Sequence, residues 1–279
     1  MIVTRFAPSP TGLLHLGHAF AAIVAHRAGA RFLLRIEDID TARCREEFVA
    51  AIFEDLHWLG LEWEEPVLRQ SARVDAYRTA LARLGAMGLT YPCFCTRKEI
   101  ADEIAGAIEA PHGPDGPIYP GTCRVLSAEE RGARIAAGVP HALRLDAAKA
   151  ATLIGPLSFE EQGAGLNGEQ GRIAVDPLLF GDIVLARKEM PAAYHLAVAI
   201  DDAHQGINRV TRGNDLFAAT HVQRLLQALL GLPAPDYAHH HLILDETGKK
   251  FSKRDRAVTL RSLRENGVTP REVRARLGL

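Results

Sequence analysis

The first forty residues constrain the fold more than any other stretch of the chain. Ile2 to Phe6 is a short apolar run, and a turn rich in Pro and Gly follows it. Ala19 to Ala28 is rich in helix formers and ends at Gly29, and Arg31 to Ile36 is apolar again. A strand, a helix and a second strand in this order predict a compact βαβ unit whose two strands are parallel.

Two helices are predicted downstream of this unit. Apolar residues recur at helical spacing between Glu46 and Leu59, and Gly60 follows as a stop signal. Ser71 is a candidate cap for a second helix, which ends near Gly85 and Gly88. Strands and helices that alternate in this way favour an α/β fold with a parallel sheet.

The pattern changes near Tyr91. Thr96 with Glu99, and Ser127 with Glu130, form capping boxes that predict two short helices. The intervening stretch 106–121 is rich in Gly and Pro and is predicted as loop. We therefore predict an inserted subdomain of short elements at 90–181, between catalytic segments at 1–89 and 182–245, with a basic loop and C-terminal helices at 246–279.

The second half resumes the alternation of apolar runs with turns. Its predicted strands are Asp182–Arg187, Tyr194–Ile200, a short one at Asn208–Thr211, and Leu242–Leu244. Asn214 is predicted to cap a helix that ends at Gly231. Two short helices, Leu260–Asn266 and one that begins at Pro270, are predicted to follow.

Composition excludes several classes of protein. The chain has 279 residues and a formal net charge of -1, so it can bury a full core and carries no uniformly basic coat. It shows no bilayer-length apolar run and no signal-peptide pattern, which predicts a cytoplasmic protein without membrane association. Its four cysteines then suggest metal ligands or free thiols, and no feature indicates a stable protein partner.

His15 and His18 lie at the predicted start of the first helix, beside Gly12 and Gly17. Small residues let backbone N–H groups approach an anion, and a helix N-terminus adds partial positive charge. Imidazoles placed there can donate hydrogen bonds to phosphate oxygens. A pair of surface-turn histidines is the plainer interpretation of an isolated HxxH pattern.

Five stretches together resemble one family. They are RFAPSPTGLLHLGH, RIEDID, Trp58–Leu61, Arg209–Asp215 and KKFSKR. In this order they resemble glutamyl-tRNA synthetases, which are class I aminoacyl-tRNA synthetases. The resemblance implies a Rossmann-type parallel-sheet nucleotide-binding domain with an inserted zinc-bearing α+β subdomain and short C-terminal helices. It also implies an ATP-dependent ligase that activates L-glutamate as glutamyl-adenylate.

The HLGH and KFSKR elements resemble the two ATP-binding motifs of that class. The resemblance implies catalytic roles for His15, His18 and Lys253, with Mg²⁺ accompanying ATP. A Lys/Arg-rich turn on its own is more often a solvated surface. Phe251 and Arg254 depart from the commoner form of the second motif. The implied ATP-binding residues are His15, Gly17, His18, Lys250, Ser252 and Lys253.

The resemblance also implies a glutamate site with opposite charges at its two ends. Arg5 and Arg212 face the side-chain carboxylate, where guanidinium forks suit two oxygens. Glu37 takes the α-ammonium, and Tyr194 and Ser9 supply neutral hydrogen bonds. The plainer alternatives are exposed ion pairs for the arginines, a solvated strand end for Glu37 and core packing for Tyr194. The remaining implied residues of this site are Phe6, Ala7 and Pro8.

Cys93, Cys95 and Cys123 are close enough in sequence to share a metal. With a fourth ligand they would form one closed, tetrahedral, structural Zn²⁺ site that holds the insertion together. Ligand frequency favours His112 as the fourth ligand, whereas the family resemblance points to Tyr119. Three buried thiols without a metal are the alternative.

The acceptor of the glutamyl group is inferred from resemblance and length. Only about two short helices follow Arg254, whereas conventional family members continue into anticodon-reading domains. The chain thus resembles a shorter group that attaches glutamate to queuosine in the anticodon of tRNA(Asp). The alternatives are a short glutamyl-tRNA synthetase that charges a tRNA 3′ end and an idle RNA-binding paralogue. Basic residues that could face phosphates are Arg97, Lys98, Arg124, Arg131, Arg134, Arg261, Arg264, Arg271, Arg274 and Arg276.

Overall fold

The computed structural model describes residues 1–106, 112–243 and 258–279. Its first part is a three-stranded sheet in the order β1-β2-β3, in which both pairs are parallel. This confirms the predicted βαβ unit. The strands and helices of this part are β1 (Val3–Phe6), α1 (Leu16–Ala28), β2 (Arg31–Ile36), α2 (Glu46–Trp58), β3 (Glu64–Arg69) and α3 (Val74–Ala86), with a 3₁₀ turn at Gln70–Arg73.

Helix α1 packs directly on this sheet. Its small residues allow the close approach, and Phe20 and Ile23 are buried in the same core as Phe32 and Leu34 of β2. Thr4 of β1 donates its side-chain hydroxyl to a backbone carbonyl of α1 over 2.7 Å. Because the acceptor is Ala25, this bond ties the last turn of α1 to β1.

The middle of the chain forms short elements, as the two capping boxes predict. Both boxes are present, at Thr96 with Glu99 and at Ser127 with Glu130. Strands β4, β7 and β10 pair in an antiparallel sheet. The elements are β4 (Thr90–Cys93), α4 (Arg97–Gly106), β5 (His112–Gly113), β6 (Gly116–Pro117), α5 (Ala128–Ala136), β7 (Ala142–Leu145), α6 (Ala147–Ile154), β8 (Ser158–Glu161), β9 (Gly171–Ala174) and β10 (Val184–Ala186).

The last part returns to parallel pairing. β11 pairs with β12, and β12 pairs with β8, both in parallel, while β9 adds an antiparallel edge. The predicted division at 90–181 stays a prediction; β8 and β9 join the sheet of β11 and β12. The elements here are α7 (Tyr194–His204), β11 (Arg209–Gly213), a 3₁₀ turn at Asn214–Leu216, α8 (Ala219–Leu229), β12 (Asp236–His240), α9 (Leu260–Glu265) and α10 (Pro270–Arg276).

Two strand predictions in this part are wrong. Tyr194–Ile200 is the first part of helix α7, whose apolar residues are buried almost all round, so the sequence shows no helical periodicity there. The last strand among the described residues is Asp236–His240, and Leu242 and Ile243 lie outside it. It was missed because a buried histidine, His239, stands where an apolar residue is expected. Leu244 lies outside the described residues.

The two parallel sheets meet between β1 and β11. Asn208 accepts the backbone N–H of Val3 through its side chain and donates its own backbone N–H to the Val3 carbonyl, over 2.8 and 3.3 Å. The parallel strands therefore run in the order β3-β2-β1-β11-β12-β8, and the order of connection reverses between β1 and β11. Open α/β sheets bind ligands at the carboxyl edge of such a switch point.

No helix in the three described ranges is long and apolar enough to cross a bilayer. The cytoplasmic location stays a prediction.

Candidate functional site

The two histidines of the opening stretch cap helix α1. Nδ1 of His15 accepts the backbone N–H of Gly17 over 3.1 Å, and Nδ1 of His18 accepts the backbone N–H of His15 over 3.2 Å. A neutral imidazole whose Nδ1 accepts must carry its proton on Nε2. The cap therefore sets the tautomer of both rings and makes each Nε2 a hydrogen-bond donor.

Gly17 is required by the same arrangement. The two imidazole rings lie 3.8 Å apart between centroids at the helix start. A Cβ added at Gly17 would come within 3.1 Å of the His15 ring. A glycine at this position lets the ring fold over the first helical turn.

Described residues on either side of 244–257 contact α1 or its capping residue His15. On one side, the rings of His240 and His241 contact Phe20 of α1, with centroids 5.0 and 4.9 Å apart. On the other side, Thr259 forms a β-bridge with His15. Lys250, Ser252 and Lys253 lie outside the described residues.

Arg5 and Glu37 belong to a buried charge cluster around Asp202. The Asp202 carboxylate accepts from Nε of Arg5 over 3.0 Å and from Arg35 over 2.7 Å. Burial raises the pKa of Asp202, but Arg5 and Arg35 outweigh it and the net pKa is lowered. Glu37 accepts from Arg35 over 3.3 Å. The arginines lower the pKa of Glu37, but burial outweighs them and its net pKa is raised.

Arg5 therefore already has a carboxylate partner within the protein. The Thr211 carbonyl accepts a further hydrogen bond from it, over 3.3 Å. The bonds among described residues account for three of the five N–H groups of Arg5. This contact also links β1 to β11, because Arg5 lies in β1 and Thr211 lies in β11, directly before Arg212.

Arg212 has a different environment. It is 6% exposed, and its guanidinium donates to His239, Gln223 and Thr220 over 3.0, 2.8 and 2.8 Å. Among described residues none of its direct partners is a carboxylate. A buried cation that contacts only neutral acceptors favours an anionic ligand, because its charge is not neutralised by direct contact.

The remaining residues of the predicted glutamate site lie around these charges. Tyr194 begins α7 and is 37% exposed, so plain core packing does not explain it. The Pro8 carbonyl accepts the backbone N–H of Glu37, and the Ser9 carbonyl accepts that of Thr11. Phe6 is buried and Ala7 is half-buried. The turn 6–9 is thus tied to the end of β2.

Sequence reasoning missed three buried polar residues near this site. Asp202 is shared by Arg5 and Arg35, and Glu161 with His239 stands behind Arg212. The signal for Asp202 was a pair of aspartates inside an apolar run. For His239 it was the repeat of three histidines at 239–241.

The cysteine cluster forms as predicted. The sulfur atoms of Cys93, Cys95 and Cys123 lie within 4.8 Å of one another. The Tyr119 hydroxyl lies 3.4 Å from the sulfur of Cys93 and 3.8 Å from that of Cys95. Tetrahedral zinc with bonds of 2.3 Å to sulfur places such ligand atoms about 3.8 Å apart. These four side chains therefore fit a zinc ion, and His112, which is exposed, is not in the group.

The pKa values of two thiols in the cluster shift in opposite directions. Burial and a hydrogen bond with Cys123 raise the pKa of Cys95 to about 12. Burial also acts to raise the pKa of Cys123, but hydrogen bonds outweigh it and the net pKa is lowered. The first of these comes from the backbone N–H of Phe94 over 3.3 Å. Such backbone donors commonly support metal-bound thiolates.

A cavity of about 310 Å³ lies where the cysteine region meets helix α7. Its lining includes Tyr119, Arg144, Asp182 and His195. Burial, and then the positive charge of Arg212, lower the pKa of His195 to about 4. The histidine of this cavity is therefore neutral at physiological pH.

Comparison with known proteins agrees with this geometry. The family model for the catalytic domain of tRNA synthetases class I (E and Q) matches residues 1–279. A glutamyl-Q tRNA(Asp) synthetase of Rhodobacter capsulatus is 50% identical, with 100% of both chains covered. One of Nocardia farcinica is 45% identical over 98% of this chain and 82% of its own.

A solved structure gives the same fold. It is a glutamate tRNA ligase from Elizabethkingia meningosepticum in complex with its amino acid, with a TM-score of 0.73 and 30% identity. The match covers 91% of this chain and 52% of that one. The chain therefore belongs to the class I tRNA synthetases (E and Q), and within them it groups with the glutamyl-Q tRNA(Asp) synthetases.

Proposed function

We propose that this protein uses ATP to activate L-glutamate as glutamyl-adenylate, with release of pyrophosphate. It then transfers the glutamyl group to queuosine in the anticodon of tRNA(Asp). One observation carries the proposal. Arg212, a buried cation with neutral partners, lies at the switch point of the sheet whose β1–α1 turn carries the two capping histidines. The proposed binding sites for the anionic amino acid and for the phosphates of ATP are thus adjacent.

The ATP half of the site uses the start of α1. The Nε2–H groups of His15 and His18 donate to phosphate oxygens, and Gly17 leaves room for the His15 ring. Lys250, Ser252 and Lys253 complete this half from the segment 244–257. Mg²⁺ bound with ATP supplies further charge neutralisation.

The glutamate half uses the charges of β1, β2 and β11. Arg212 binds the side-chain carboxylate with help from Arg5, whose position Asp202 holds. Glu37 receives the α-ammonium, and the charge of that ammonium opposes the burial that raises the Glu37 pKa. Tyr194 and Ser9 supply neutral hydrogen bonds.

The reaction places one carboxylate oxygen against the α-phosphorus. The α-carboxylate of glutamate attacks in line, the bond to the bridging oxygen breaks, and pyrophosphate leaves. The histidines and Lys253 stabilise the negative charge that builds on the phosphates. The residues above therefore act mainly by positioning and by charge.

We further propose that Cys93, Cys95, Tyr119 and Cys123 hold one structural zinc ion. The distances among the four ligand atoms support this set. The ion would tie β4 to the segment 119–123 and supply folding free energy rather than catalysis.

The proposed acceptor is supported by the two glutamyl-Q tRNA(Asp) synthetases named above. A short glutamyl-tRNA synthetase that charges a 3′ end is the second candidate, favoured by the glutamate tRNA ligase structure of the same fold. The test is the fate of labelled product: a glutamyl label that survives removal of the tRNA 3′ end supports an anticodon acceptor. Loss of the label with the 3′ end would replace this proposal with the second candidate.

The activation step has its own test. We expect exchange of labelled pyrophosphate into ATP that depends on L-glutamate and not on glutamine or aspartate. Absence of exchange with glutamate, with or without tRNA, would support the idle RNA-binding alternative.

A further inference from the structure

We propose that Glu161 and His239 are positioning residues that orient Arg212 and select an anionic side chain in the amino-acid site. The inference rests on the proposed function, because it assigns Arg212 to the side-chain carboxylate of glutamate. It concerns two residues that do not contact the substrate themselves.

The three side chains form a continuous chain of hydrogen bonds. Oε2 of Glu161 accepts from Nδ1 of His239 over 2.6 Å, and Nε2 of His239 accepts from Nε of Arg212 over 3.0 Å. Both the glutamate and the histidine side chains are 0% exposed. The carboxylate at the end of β8 is therefore coupled to the guanidinium at the end of β11.

The second oxygen of Glu161 is fixed as well. Oε1 accepts the backbone N–H of His239 over 2.9 Å and that of Gly163 over 2.8 Å. Two backbone donors point at this oxygen, so only an acceptor fits there. The orientation of the carboxylate is thus set by the backbone and leaves Oε2 for the imidazole.

The charge states agree with this chain. Burial lowers the pKa of His239, which keeps its ring neutral at physiological pH. Burial acts to raise the pKa of Glu161, but hydrogen bonds from His239 outweigh it, and the net pKa is lowered. A neutral ring with its proton on Nδ1 has a lone pair on Nε2, as the contact with Arg212 requires.

His239 is packed closely through both its backbone and its ring. A Cβ added at Gly163 would lie 2.1 Å from the His239 carbonyl oxygen, so the two backbones are in direct contact. The His239 ring is stacked on Tyr237 and meets Phe217 edge-on, with centroids 6.0 and 5.3 Å away. The acceptor for Arg212 is therefore held rigidly.

This arrangement accounts for selection of an anion. Glu161 balances the charge of Arg212 through a neutral ring, so within the described part of the chain the guanidinium has no carboxylate in direct contact. A substrate carboxylate can then make the close ion pair, whereas the amide of glutamine cannot. The hydrogen bond that orients Arg212 therefore depends on the proton at Nδ1 of His239.

The substitution Glu161→Gln tests this dependence at constant volume. The two backbone N–H donors hold the amide oxygen at the Oε1 position, which turns the amide NH₂ toward Nδ1 of His239. Nδ1 must then accept, so the proton moves to Nε2 and meets the Nε–H of Arg212. The matched control is Glu160→Gln, because Glu160 is exposed on the same strand.

We expect Glu161→Gln to raise KM for glutamate roughly 10- to 100-fold in pyrophosphate exchange, with kcat within about threefold of wild type. Discrimination against glutamine should fall, and Glu160→Gln should match wild type. An unchanged KM and unchanged discrimination in a folded Glu161→Gln protein would overturn the proposal.

A second measurement does not depend on the stability of that variant. Nitrogen-15 NMR of the wild-type protein, with His239 assigned by His239→Asn, should show a neutral ring protonated at Nδ1. A proton on Nε2 would overturn the relay even if the enzyme activates glutamate. Absence of glutamate-dependent exchange in wild type would instead overturn the proposed function and leave the tautomer result standing.

Discussion

The backbone N–H of Leu260 donates to the carbonyl of Leu14 over 2.8 Å, immediately before the two histidines of α1. Lys253 lies only six residues before Thr259, which bridges to His15. Six residues span at most roughly 20 Å. The length of this connection therefore allows the proposed catalytic lysine to reach the phosphates that His15 and His18 are proposed to bind, although about 235 residues separate it from them in sequence.

His15 caps helix α1 and is proposed to donate a hydrogen bond to phosphate, and two substitutions separate these roles. His15→Asn keeps a residue that caps helices well but removes the Nε2 donor, so exchange should slow by roughly 100-fold or more with little change in Tm. His15→Ala also removes the cap and should lower Tm by a further 2–4 °C or so. Exchange kinetics and thermal unfolding measure the two effects. Near-normal exchange by His15→Asn would contradict the phosphate role.

If Arg212 binds the side-chain carboxylate of glutamate, its removal should prevent the activation of glutamate. Arg212→Ala should abolish glutamate-dependent pyrophosphate exchange, because the site loses its buried cation. Arg209→Ala on the same strand is the control, since Arg209 lies 3.8 Å from Asp236 and away from the proposed ligand. Exchange by Arg212→Ala close to the control would remove Arg212 from the glutamate site.

The sequence predicted those parts of the fold whose residues lie close together in the chain. The βαβ unit, both capping boxes and the cysteine cluster follow from spacing, caps and residue type within short windows. Helix α7 was not predicted from the sequence, because it is buried on nearly every side and its apolar residues therefore show no helical periodicity. Strand β12 was not predicted either, because His239 is stabilised inside the core by Glu161, a residue 78 positions away in sequence.

The candidate site shows the same division. His15, His18 and the cysteines were predicted from local motifs, and Arg5, Glu37 and Arg212 from family resemblance. That Asp202 engages Arg5 while Arg212 keeps neutral partners depends on contacts between β1, α7 and α8. Such contacts are set by tertiary packing and leave no pattern in a short window.

The cysteine cluster predicts a defined metal content. The purified protein should contain about one equivalent of zinc, and Cys123→Ser should lose it and unfold at lower temperature. Cys44→Ser is the matched control, because Cys44 lies outside the cluster. Elemental analysis measures the zinc content. A wild-type content under about half an equivalent, with no change in Cys123→Ser, would exclude the site.

Asp55 predicts a pH-dependent stability. Both of its carboxylate oxygens are buried with no hydrogen-bond partner among the described residues, and burial raises its pKa to about 6. The folded state then binds the proton more tightly than the unfolded state, so this group costs stability as pH rises from about 4 through 6. Its cost is greatest above pH 6.

The substitution Asp55→Asn should therefore stabilise the protein relative to wild type by about 1–2 kcal/mol at pH 7.5, and by less at pH 4.5. Glu47→Gln, exposed on the same helix, should show no such trend. Urea unfolding at the two pH values measures the difference. A stability difference that does not change with pH would contradict the raised pKa of Asp55.

The identity of the acceptor is tested most directly by charging tRNA(Asp) with labelled L-glutamate and ATP. Two preparations of the same tRNA are compared, one that carries queuosine and one that does not. The account predicts label in the queuosine-containing tRNA alone, in a form that survives removal of the 3′ end. Equal labelling of both preparations would contradict it.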